Sequence, residues 1–330
     1  MSHPDAATAV PTVLVVGEAL VDVVRADDGT TTDHPGGSAA NVAVALARLG
    51  RPVRFATCFA DDRLGRLLAD HLARDAVGLA AEPGAVVDHT SSAVVTLAPD
   101  GSATYEFDLD WRLGPVEAGP GTVAVHACSL GAVLEPGAAD VLALVRALAP
   151  QVLVSYDVNV RAVVTGTGAD VVARVEALAA LSDVVKASDE DLAHLYPDRD
   201  VTAGARHVLG LGPAVVVLTR GADGATWVAA DGETSVAVPR VVVADTIGAG
   251  DTFCAAVVDA LWSRGAVGPG AREAVLALDH SARADVLTRA AAAAAVTVSR
   301  PGADPPYAAE LAGGPTSRPA APGRGPDPIG

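Results

Sequence analysis

The segment Asp245–Phe253, with the sequence DTIGAGDTF, places two glycines and a second aspartate directly before the apolar, helix-like stretch Cys254–Trp262. A glycine-rich turn that leads into a helix exposes backbone N–H groups with the positive end of the helix dipole behind them, which suits phosphate oxygens. Asp251 stands at the entrance to that helix, where a carboxylate can accept the proton of an attacking hydroxyl. The alternative is that Asp251 only stabilises a first helical turn, by about 0.3–1 kcal/mol.

A second segment, Pro35–Gly50, has the sequence PGGSAANVAVALARLG and predicts a helix that begins at Ser38. The two glycines before this helix allow a small ligand to approach the backbone closely. The amide of Asn41, in the first turn, offers both a donor and an acceptor to the hydroxyl groups of a sugar. The alternative is an ordinary strand-to-helix connection that is capped by Ser38.

The overall charge and the lysine content exclude several classes of protein. The 330 residues carry a formal net charge of −17. Such a surface repels nucleic acid and anionic lipid, so we expect neither nucleic acid nor a membrane as a partner. Lys186 is the single lysine and lies in Val-Lys-Ala, which excludes a Walker A loop. A Gly-rich loop followed by a strand lysine, which protein kinases require, has no match either.

The sequence also predicts a compartment. No stretch approaches the roughly 20 apolar residues of a membrane helix, and no basic segment precedes an apolar run at the N-terminus. The three cysteines are far apart, which favours core thiols in a reducing compartment. We therefore expect a cytoplasmic protein.

Short runs of β-branched residues alternate with helical patterns, which predicts an α/β fold with a parallel sheet covered on both faces. The predicted strands are Val13–Gly17, Val53–Phe59, Val123–Leu130, Val152–Tyr156, Val184–Lys186 and Val215–Thr219. Residues 1–11 and 308–330 are predicted to be disordered tails, since both are polar or rich in Gly and Pro without periodicity.

One region departs from this alternation. Ser92–Ala98, the turn at residues 99–101 and Ala103–Leu109 show the two-residue period of an antiparallel hairpin. With Leu20–Val24, this hairpin predicts a small second sheet, suited to a lid over a cleft or to a dimer surface.

Together the two glycine-containing segments resemble the paired signatures of the PfkB (ribokinase-like) carbohydrate kinase family. Pro35–Gly50 contains its Gly-Gly-x-x-x-Asn-x-Ala element, and Asp245–Phe253 contains its Asp-Thr-x-Gly-Ala-Gly-Asp element. Further matches extend the resemblance over residues 12–307 in the family's order; they are Gly17-Glu18 with Asp22, Asp157–Arg161, Thr219–Gly224 and Arg300–Ala303.

The resemblance implies one kinase domain over residues 12–307, with a three-layer αβα core around a mostly parallel sheet. A small β-sheet lid would come from about residues 18–35 and 90–113. The implied reaction transfers the γ-phosphoryl group of ATP, with Mg²⁺ bridging the phosphates, to a primary hydroxyl of a small sugar. Asp251 would take the hydroxyl proton. The developing charge would be held by the N–H groups of Gly248, Ala249 and Gly250.

The resemblance also implies the ligand sites. The implied sugar-binding residues are Asp22, Gly36, Gly37, Asn41, Asn159 and Arg161. The implied nucleotide-binding residues are Lys186, Thr219, Gly221 and Gly224. Two of these residues have alternatives. The alternative for Arg161 is that it closes over phosphate or simply pairs with Asp157, and the alternative for Lys186, at a strand end, is that of a solvated surface lysine.

Two expectations concern metal ions. The family's Asn-x-x-Glu element, linked to metal and phosphate handling, corresponds here to Ser188–Asp191, so only Asp191 is carried over as a carboxylate on the Mg²⁺ side. Some members of the family bind a monovalent cation beside the anion-binding turn. If K⁺ binds here, its candidate ligands are the carbonyl groups of Asp245, Ile247 and Gly302.

Within the family, the segments Gly17–Asp22, Lys186–Leu192 and Thr219–Gly224 are most similar to bacterial fructokinases, which implies fructose as the substrate. Ribokinase and 2-keto-3-deoxygluconate kinase are the alternatives within the family. A non-catalytic sugar-binding regulatory protein is the alternative from another class. Exposed edges of the lid sheet favour a homodimer through the lid.

Overall fold

A nine-stranded β-sheet forms the centre of the molecule, and four further strands form a second sheet. The computed structural model describes residues 9–25, 30–97, 103–116 and 118–312. The described strands are β1 (Thr12–Val16), β2 (Leu20–Arg25), β3 (Thr31–Gly36), β4 (Val53–Ala56), β5 (Gly78–Leu79), β6 (Ser92–Leu97), β7 (Ala103–Asp108), β8 (Thr122–Cys128), β9 (Leu153–Asp157), β10 (Val184–Ser188), β11 (Val215–Thr219), β12 (Ala225–Ala229) and β13 (Gly232–Val236). The described α-helices are α1 (Ser38–Arg48), α2 (Arg63–Arg74), α3 (Ser129–Val133), α4 (Gly137–Leu148), α5 (Ala162–Thr165), α6 (Ala169–Ala179), α7 (Asp189–Leu195), α8 (Val201–Gly210), α9 (Ala249–Ser263), α10 (Ala271–Leu276), α11 (His280–Val298) and α12 (Ala308–Ala312).

The strand order in the large sheet is β13-β12-β11-β10-β9-β8-β1-β4-β5. The strands pair in parallel except for β11 with β12 and β12 with β13. From β1 the chain adds β4 and β5 on one side and then β8 to β11 on the other, so the order reverses between β1 and β8. Open α/β sheets bind ligands outside the carboxyl ends of the strands at such a reversal.

The residues of β1 show why helices cover both faces of the sheet. Val13 and Val15 contact a core that includes side chains of α1, α9 and α11. Leu14 and Val16 contact a separate core with side chains of α4 and α6. Because successive side chains of a strand point to opposite faces, two cores on one strand mean three layers. The predicted αβα core is confirmed.

The second sheet has the order β3-β2-β6-β7 and contains the predicted hairpin. Strands β6 and β7 are antiparallel, and β6 pairs in parallel with β2. The predicted turn at residues 99–101 lies outside the described residues. Strand β3 (TTDHPG) was not predicted as a separate strand, because it is polar and contains Pro35; proline is tolerated at a sheet edge. A homodimer through the edges of this sheet stays a prediction.

Several boundaries differ from the sequence-based expectations. Helix α9 begins at Ala249, well before Cys254, because Gly248 takes a left-handed conformation with φ 74° and starts the helix as its N-cap. Strand β4 ends at Ala56 instead of Phe59. The predicted C-terminal tail starts too early, since Ala308–Ala312 form α12. The rest of that tail and residues 1–8 lie outside the described part of the chain.

The described helices include none that is both long and apolar enough to cross a membrane.

Candidate active site

Asp251 is the point at which the two glycine-containing segments meet. Its side chain projects from the first turn of α9 and accepts two hydrogen bonds from the first turn of α1. Ser38 Oγ donates to Asp251 Oδ1 at 2.6 Å, and Asn41 Nδ2 donates to Asp251 Oδ2 at 2.8 Å. An acidic residue that only stabilises its own helix needs no side-chain donors from another helix. The geometry therefore favours a carboxylate that is held for a chemical task.

The surroundings of Asp251 set its basicity. Burial raises the pKa of its carboxyl group above the usual aspartate value, while the hydrogen bonds from Ser38 and Asn41 lower it. The positive charges of Arg161 and Lys186 lower it further, but burial dominates. A carboxylate with a raised pKa holds a proton more strongly than an exposed aspartate does. Asp251 thus has the properties of a general base in a fixed orientation.

The turn before α9 depends on Gly248. Its φ of 74° is left-handed, and a Cβ atom at this position would lie only 2.7 Å from the Cβ atom of Ala303, so only glycine fits. The Thr252 N–H donates to Gly248 O at 2.9 Å and closes the first turn of α9. The preceding N–H groups of such a turn have no intrahelical acceptor. One of the three predicted donors, the Ala249 N–H, makes a long bond of 3.3 Å to Thr246 O.

Lys186 lies against this turn, since a Cβ atom added to Gly250 would be 3.3 Å from Lys186 Nζ. The same ammonium group forms an ion pair with Asp157 Oδ1 at 3.1 Å. Lys186 is 7 % exposed, so it is not a solvated surface lysine, and the partner of Asp157 is Lys186. The structure therefore places the positive charge of Lys186 next to the N-terminus of α9. There the charge adds to the field from the positive end of the helix dipole.

The Asp157–Lys186 pair is buried, which changes the pKa of both groups. Burial raises the pKa of Asp157 to about 6, although the attraction of Lys186 opposes this increase. Burial, the largest single cause, lowers the pKa of Lys186, but the attraction of Asp157 and of the further negative groups Cys254 and Asp191 together outweighs burial and raises that pKa. Cys254 of α9 also donates to Asp157, with 3.2 Å between Sγ and Oδ2. The pair thus anchors β9 and β10 to α9.

Asp22 and Gly36 come from neighbouring strands of the small sheet. A Cβ atom on Gly36 would lie 2.9 Å from Asp22 Oδ2, so the missing side chain leaves room for this carboxylate. Burial raises the pKa of Asp22, while the charges of His34 and Arg161 lower it. Arg161 also lowers the pKa of Asp251. One guanidinium group thus acts on a carboxylate of the small sheet and on the candidate base.

Asn159 is linked to the same cluster. It follows β9 with a φ of 38°, and its Nδ2 donates to Ser38 Oγ at 3.0 Å. Asn159, Ser38 and Asp251 therefore form one chain of hydrogen bonds. Gly37, the N-cap of α1, has a φ of 99°, and a Cβ atom there would lie 2.7 Å from Glu18 O. Glycine at this position lets α1 begin directly beside the end of β1.

Two residues of this cluster have no functional role in the sequence-based assignment. Helix α1 begins at Ser38 as predicted, but the alternative role of Ser38 as the cap is wrong, because the cap is Gly37 and Ser38 Oγ contacts Asp251. Glu18 is part of a matching segment, yet no spacing pattern shows that its carboxylate is buried. The sequence feature that could have indicated Glu18 is an acidic residue directly after a predicted strand that is buried on both faces.

The predicted nucleotide residues lie at the carboxyl end of β11. Thr219 ends this strand opposite Ser188 of β10, and Gly221 begins the short 3-10 helix Gly221–Asp223. Among the described residues, no atom lies within 4 Å of a Cβ atom added to Gly221, so this glycine faces open space. At Gly224, with φ 105°, a Cβ atom would collide with Val236 O. Gly221 is therefore open to a ligand, whereas Gly224 has a structural reason to be glycine.

Asp191 uses both of its carboxylate oxygens for backbone hydrogen bonds. Its Oδ2 accepts the Ser188 N–H and its Oδ1 accepts the Val160 N–H, both at 2.7 Å. The Ser188 hydroxyl accepts the Asp191 N–H at 3.0 Å, which completes a capping box at the start of α7. In the described part of the chain, no three His, Cys, Asp or Glu side chains are arranged to hold a metal ion. Asp191 therefore positions the turn that carries Asn159 and Arg161, and its role as a carboxylate on the Mg²⁺ side stays a prediction.

Asp245 joins the turn before α9 to the segment after α11. Its Oδ1 accepts the Ile247 N–H at 3.0 Å, and its Oδ2 accepts the Gly302 N–H at 2.9 Å. These backbone hydrogen bonds lower the pKa of Asp245. The three residues whose carbonyl groups were predicted to bind a monovalent cation thus meet at one junction, beside a carboxylate that stays ionised.

Known proteins share this fold. Residues 10–309 match the model of the pfkB family of carbohydrate kinases. A fructokinase from Rhizobium leguminosarum bv. trifolii is 34% identical over 260 residues, which cover 76% of this chain and 79% of that protein. The crystal structure of fructokinase with bound ATP from Xylella fastidiosa superimposes with a TM-score of 0.78 at 26% identity and covers 91% of this chain and 97% of that one. A double-mutant fructokinase from Vibrio cholerae O395, bound to fructose, ADP and a potassium ion, gives a TM-score of 0.72 at 26% identity, with 89% and 94% covered.

The three-layer fold with its second sheet, the glycine turn and the held Asp251 carboxylate define a ribokinase-like sugar kinase. The chain belongs to the pfkB family of carbohydrate kinases. It is an ATP-dependent sugar kinase, as its segments predict.

Proposed function

We propose that this kinase transfers the γ-phosphoryl group of ATP to a primary hydroxyl of fructose. The observation that carries the proposal is the buried carboxylate of Asp251, which Ser38 and Asn41 hold at the N-terminus of α9. Fructose is favoured because the relatives described above, at 34% and 26% identity, are fructokinases.

The reaction requires a base and a site for negative charge. The fructose hydroxyl attacks the γ-phosphorus, an O–P bond forms, the bond to the bridging oxygen of ADP breaks, and the hydroxyl proton passes to Asp251. The γ-phosphoryl oxygens would face the N–H groups of Gly248, Ala249 and Gly250, with Lys186 adding positive charge beside them. Phosphoryl transfer depends mainly on such positioning and electrostatic stabilisation.

The sugar would lie between the small sheet and the core. Asp22 provides a carboxylate from β2, and Arg161 provides a charge that acts on both Asp22 and Asp251. Asn41 and Asn159 each donate one amide N–H to a protein acceptor. The second N–H and the amide oxygen of each side chain would serve the hydroxyl groups of the sugar. Gly36 and Gly37 keep the backbone accessible, while Thr219, Gly221 and Gly224 would border the nucleotide.

Two metal ions belong to this proposal. We place Mg²⁺ on the phosphates of ATP, where it neutralises their charge, because Asp191 is committed to backbone donors. We place K⁺ at the junction of Asp245, Ile247 and Gly302, which is adjacent to the turn that would hold the phosphoryl group.

An ADP-release assay with fructose, ribose, 2-keto-3-deoxygluconate and adenosine, each with and without K⁺, tests the proposal. We expect the highest kcat/KM with fructose and faster turnover in K⁺. A higher kcat/KM with ribose or 2-keto-3-deoxygluconate would replace fructose as the substrate. No turnover with any acceptor, together with measurable sugar binding, would support a non-catalytic sugar-binding protein.

A further inference from the structure

Glu18 occupies the position where the strand order of the large sheet reverses. It lies two residues after the end of β1 and is 5 % exposed. Both carboxylate oxygens accept backbone hydrogen bonds from other elements. The Ser38 N–H, at the start of α1, donates to Oε1 at 3.1 Å, and the Gly131 N–H, in α3, donates to Oε2 at 2.7 Å. One side chain thus ties the end of β1 to α1 and α3.

The backbone segments around this carboxylate are too close together for larger residues. A Cβ atom on Gly131 would lie 2.6 Å from Gly17 Cα and 3.0 Å from Glu18 Oε2. A Cβ atom on Gly17 would lie 2.7 Å from the Cβ atom of Ala39. The glycines therefore let two chain segments approach the carboxylate from opposite sides. Such close packing leaves the N-terminus of α1 little freedom to move while Glu18 accepts the Ser38 N–H.

Ser38 connects Glu18 to Asp251. Its backbone N–H is held by Glu18 Oε1, and its Oγ donates to Asp251 Oδ1 at 2.6 Å. Since both groups belong to one residue, a shift of the backbone at Ser38 moves the hydroxyl group away from the base. The orientation of Asp251 therefore depends on a carboxylate that it does not contact by a hydrogen bond.

Among the residues that the structure describes, Glu18 has no cationic side chain as a partner. The titratable groups that act on it or respond to it are Asp251 of α9 and Cys128 of β8. Burial raises the pKa of Glu18 to about 7, although the backbone hydrogen bonds, including those from Gly131 and Ser38, lower it. On its other side, Asp251 faces Arg161 and Lys186. A buried carboxylate without a cation costs stability, which favours a role other than stabilisation.

We propose that Glu18 is a positioning residue for the catalytic base, because it holds the backbone of Ser38 so that the hydroxyl of Ser38 meets Asp251. The inference rests on the proposed role of Asp251 in phosphoryl transfer. Glu18 itself need not contact the sugar or the nucleotide.

Glu18→Gln tests this role with nearly unchanged shape. An amide has one acceptor oxygen, and its NH₂ group repels a second N–H donor. The shorter bond, to Gly131, should keep the oxygen, so the contact to Ser38 should be lost. We expect kcat to fall about 10- to 100-fold, the scale for a catalytic group displaced by about 1 Å. The KM for fructose should stay within about threefold, because the sugar contacts remain.

A crystal structure of Glu18→Gln gives a readout independent of activity. We expect Ser38 Oγ and Asp251 Oδ1 to separate beyond hydrogen-bonding distance. If the bond persists, the inference is wrong, whatever the kinetics. If wild-type enzyme phosphorylates no sugar, the proposed function fails, and this distance alone decides whether Glu18 positions Asp251. Should Glu18→Gln not fold, Glu18→Asp keeps the charge but retracts it by one methylene; a folded Glu18→Asp enzyme with wild-type kcat would also overturn the inference.

The matched control is Asp183→Asn. Asp183 is another buried carboxylate that accepts a backbone hydrogen bond, from the Val154 N–H at 2.9 Å, but it precedes β10 at the amino edge of the sheet. The Asp183→Asn substitution should lower the melting temperature of the enzyme without changing kcat. If Glu18 acts through Ser38, the double variant Glu18→Gln/Ser38→Ala should be no slower than Ser38→Ala alone. Multiplied losses in the double variant would show that Glu18 acts by another route.

Discussion

Asn41 Nδ2 lies 2.8 Å from Asp251 Oδ2, although the two residues are 210 positions apart in the chain. This hydrogen bond joins the first turn of α1 to the first turn of α9. It holds one carboxylate oxygen in a fixed orientation, as general-base catalysis by a buried group requires.

Asp251→Asn should remove phosphorylation and leave sugar binding. The amide has almost the same shape as the carboxylate but cannot accept the hydroxyl proton, so we expect kcat to fall about 10²- to 10⁴-fold. Coupled ADP-release kinetics measure this loss, and isothermal titration with fructose measures binding. Turnover near the wild-type rate would disprove the role of Asp251 as the base.

Ser38→Ala should change the pH dependence of the reaction. The Ser38 hydrogen bond stabilises the ionised form and lowers the pKa of Asp251. Without it, the pKa rises, so the base becomes ionised only at higher pH. The acid limb of kcat/KM should therefore move to higher pH. Ser129→Ala is the control, since the Ser129 hydroxyl donates to Asn159 O at 3.3 Å and not to Asp251. Equal shifts in both variants, or none in Ser38→Ala, would contradict the assignment.

Gly248→Ala and Gly265→Ala separate the cost of a left-handed backbone from the cost of a collision. Both glycines have φ 74°, but a Cβ atom meets Ala303 at Gly248 and nothing within 4 Å at Gly265 among the described residues. We expect Gly265→Ala to lower the free energy of unfolding by about 1–2 kcal/mol without loss of activity. Gly248→Ala should be less stable still and should lose most activity, because the turn before α9 must move. Denaturant unfolding and turnover, measured on both variants, test this difference. Equal losses of stability and activity in the two variants would show that the contact with Ala303 is unimportant.

Asp157→Asn should destabilise the protein by leaving Lys186 as a buried, unpaired charge. Breaking a buried pair in this way costs about 3–5 kcal/mol, whereas replacing both partners by apolar residues is often close to neutral. The double variant Asp157→Leu/Lys186→Met should therefore regain most of the stability. It should remain nearly inactive, because the positive charge beside Gly250 is gone. A double variant with wild-type kcat would show that Lys186 is structural only.

Much of the fold follows from local sequence patterns. The β-branched runs predict strands buried on both faces, and the helical periods between them predict the covering layers, because both depend on the burial of neighbouring residues along the chain. The polar strand β3 and the early start of α9 do not follow, since a sheet edge and a left-handed glycine leave no apolar period.

For the site, local patterns predict the segments that carry the chemistry: a glycine turn with Asp251, a second one with Asn41, and a single lysine that excludes a Walker loop. Which groups meet follows from the fold. It directs the Ser38 hydroxyl to Asp251, pairs Asp157 with Lys186, and assigns Asp191 to the turn at Val160. The physical reason is that each contact joins residues far apart in the chain, and the direction of a buried side chain is set by packing and by the hydrogen bonds that burial requires.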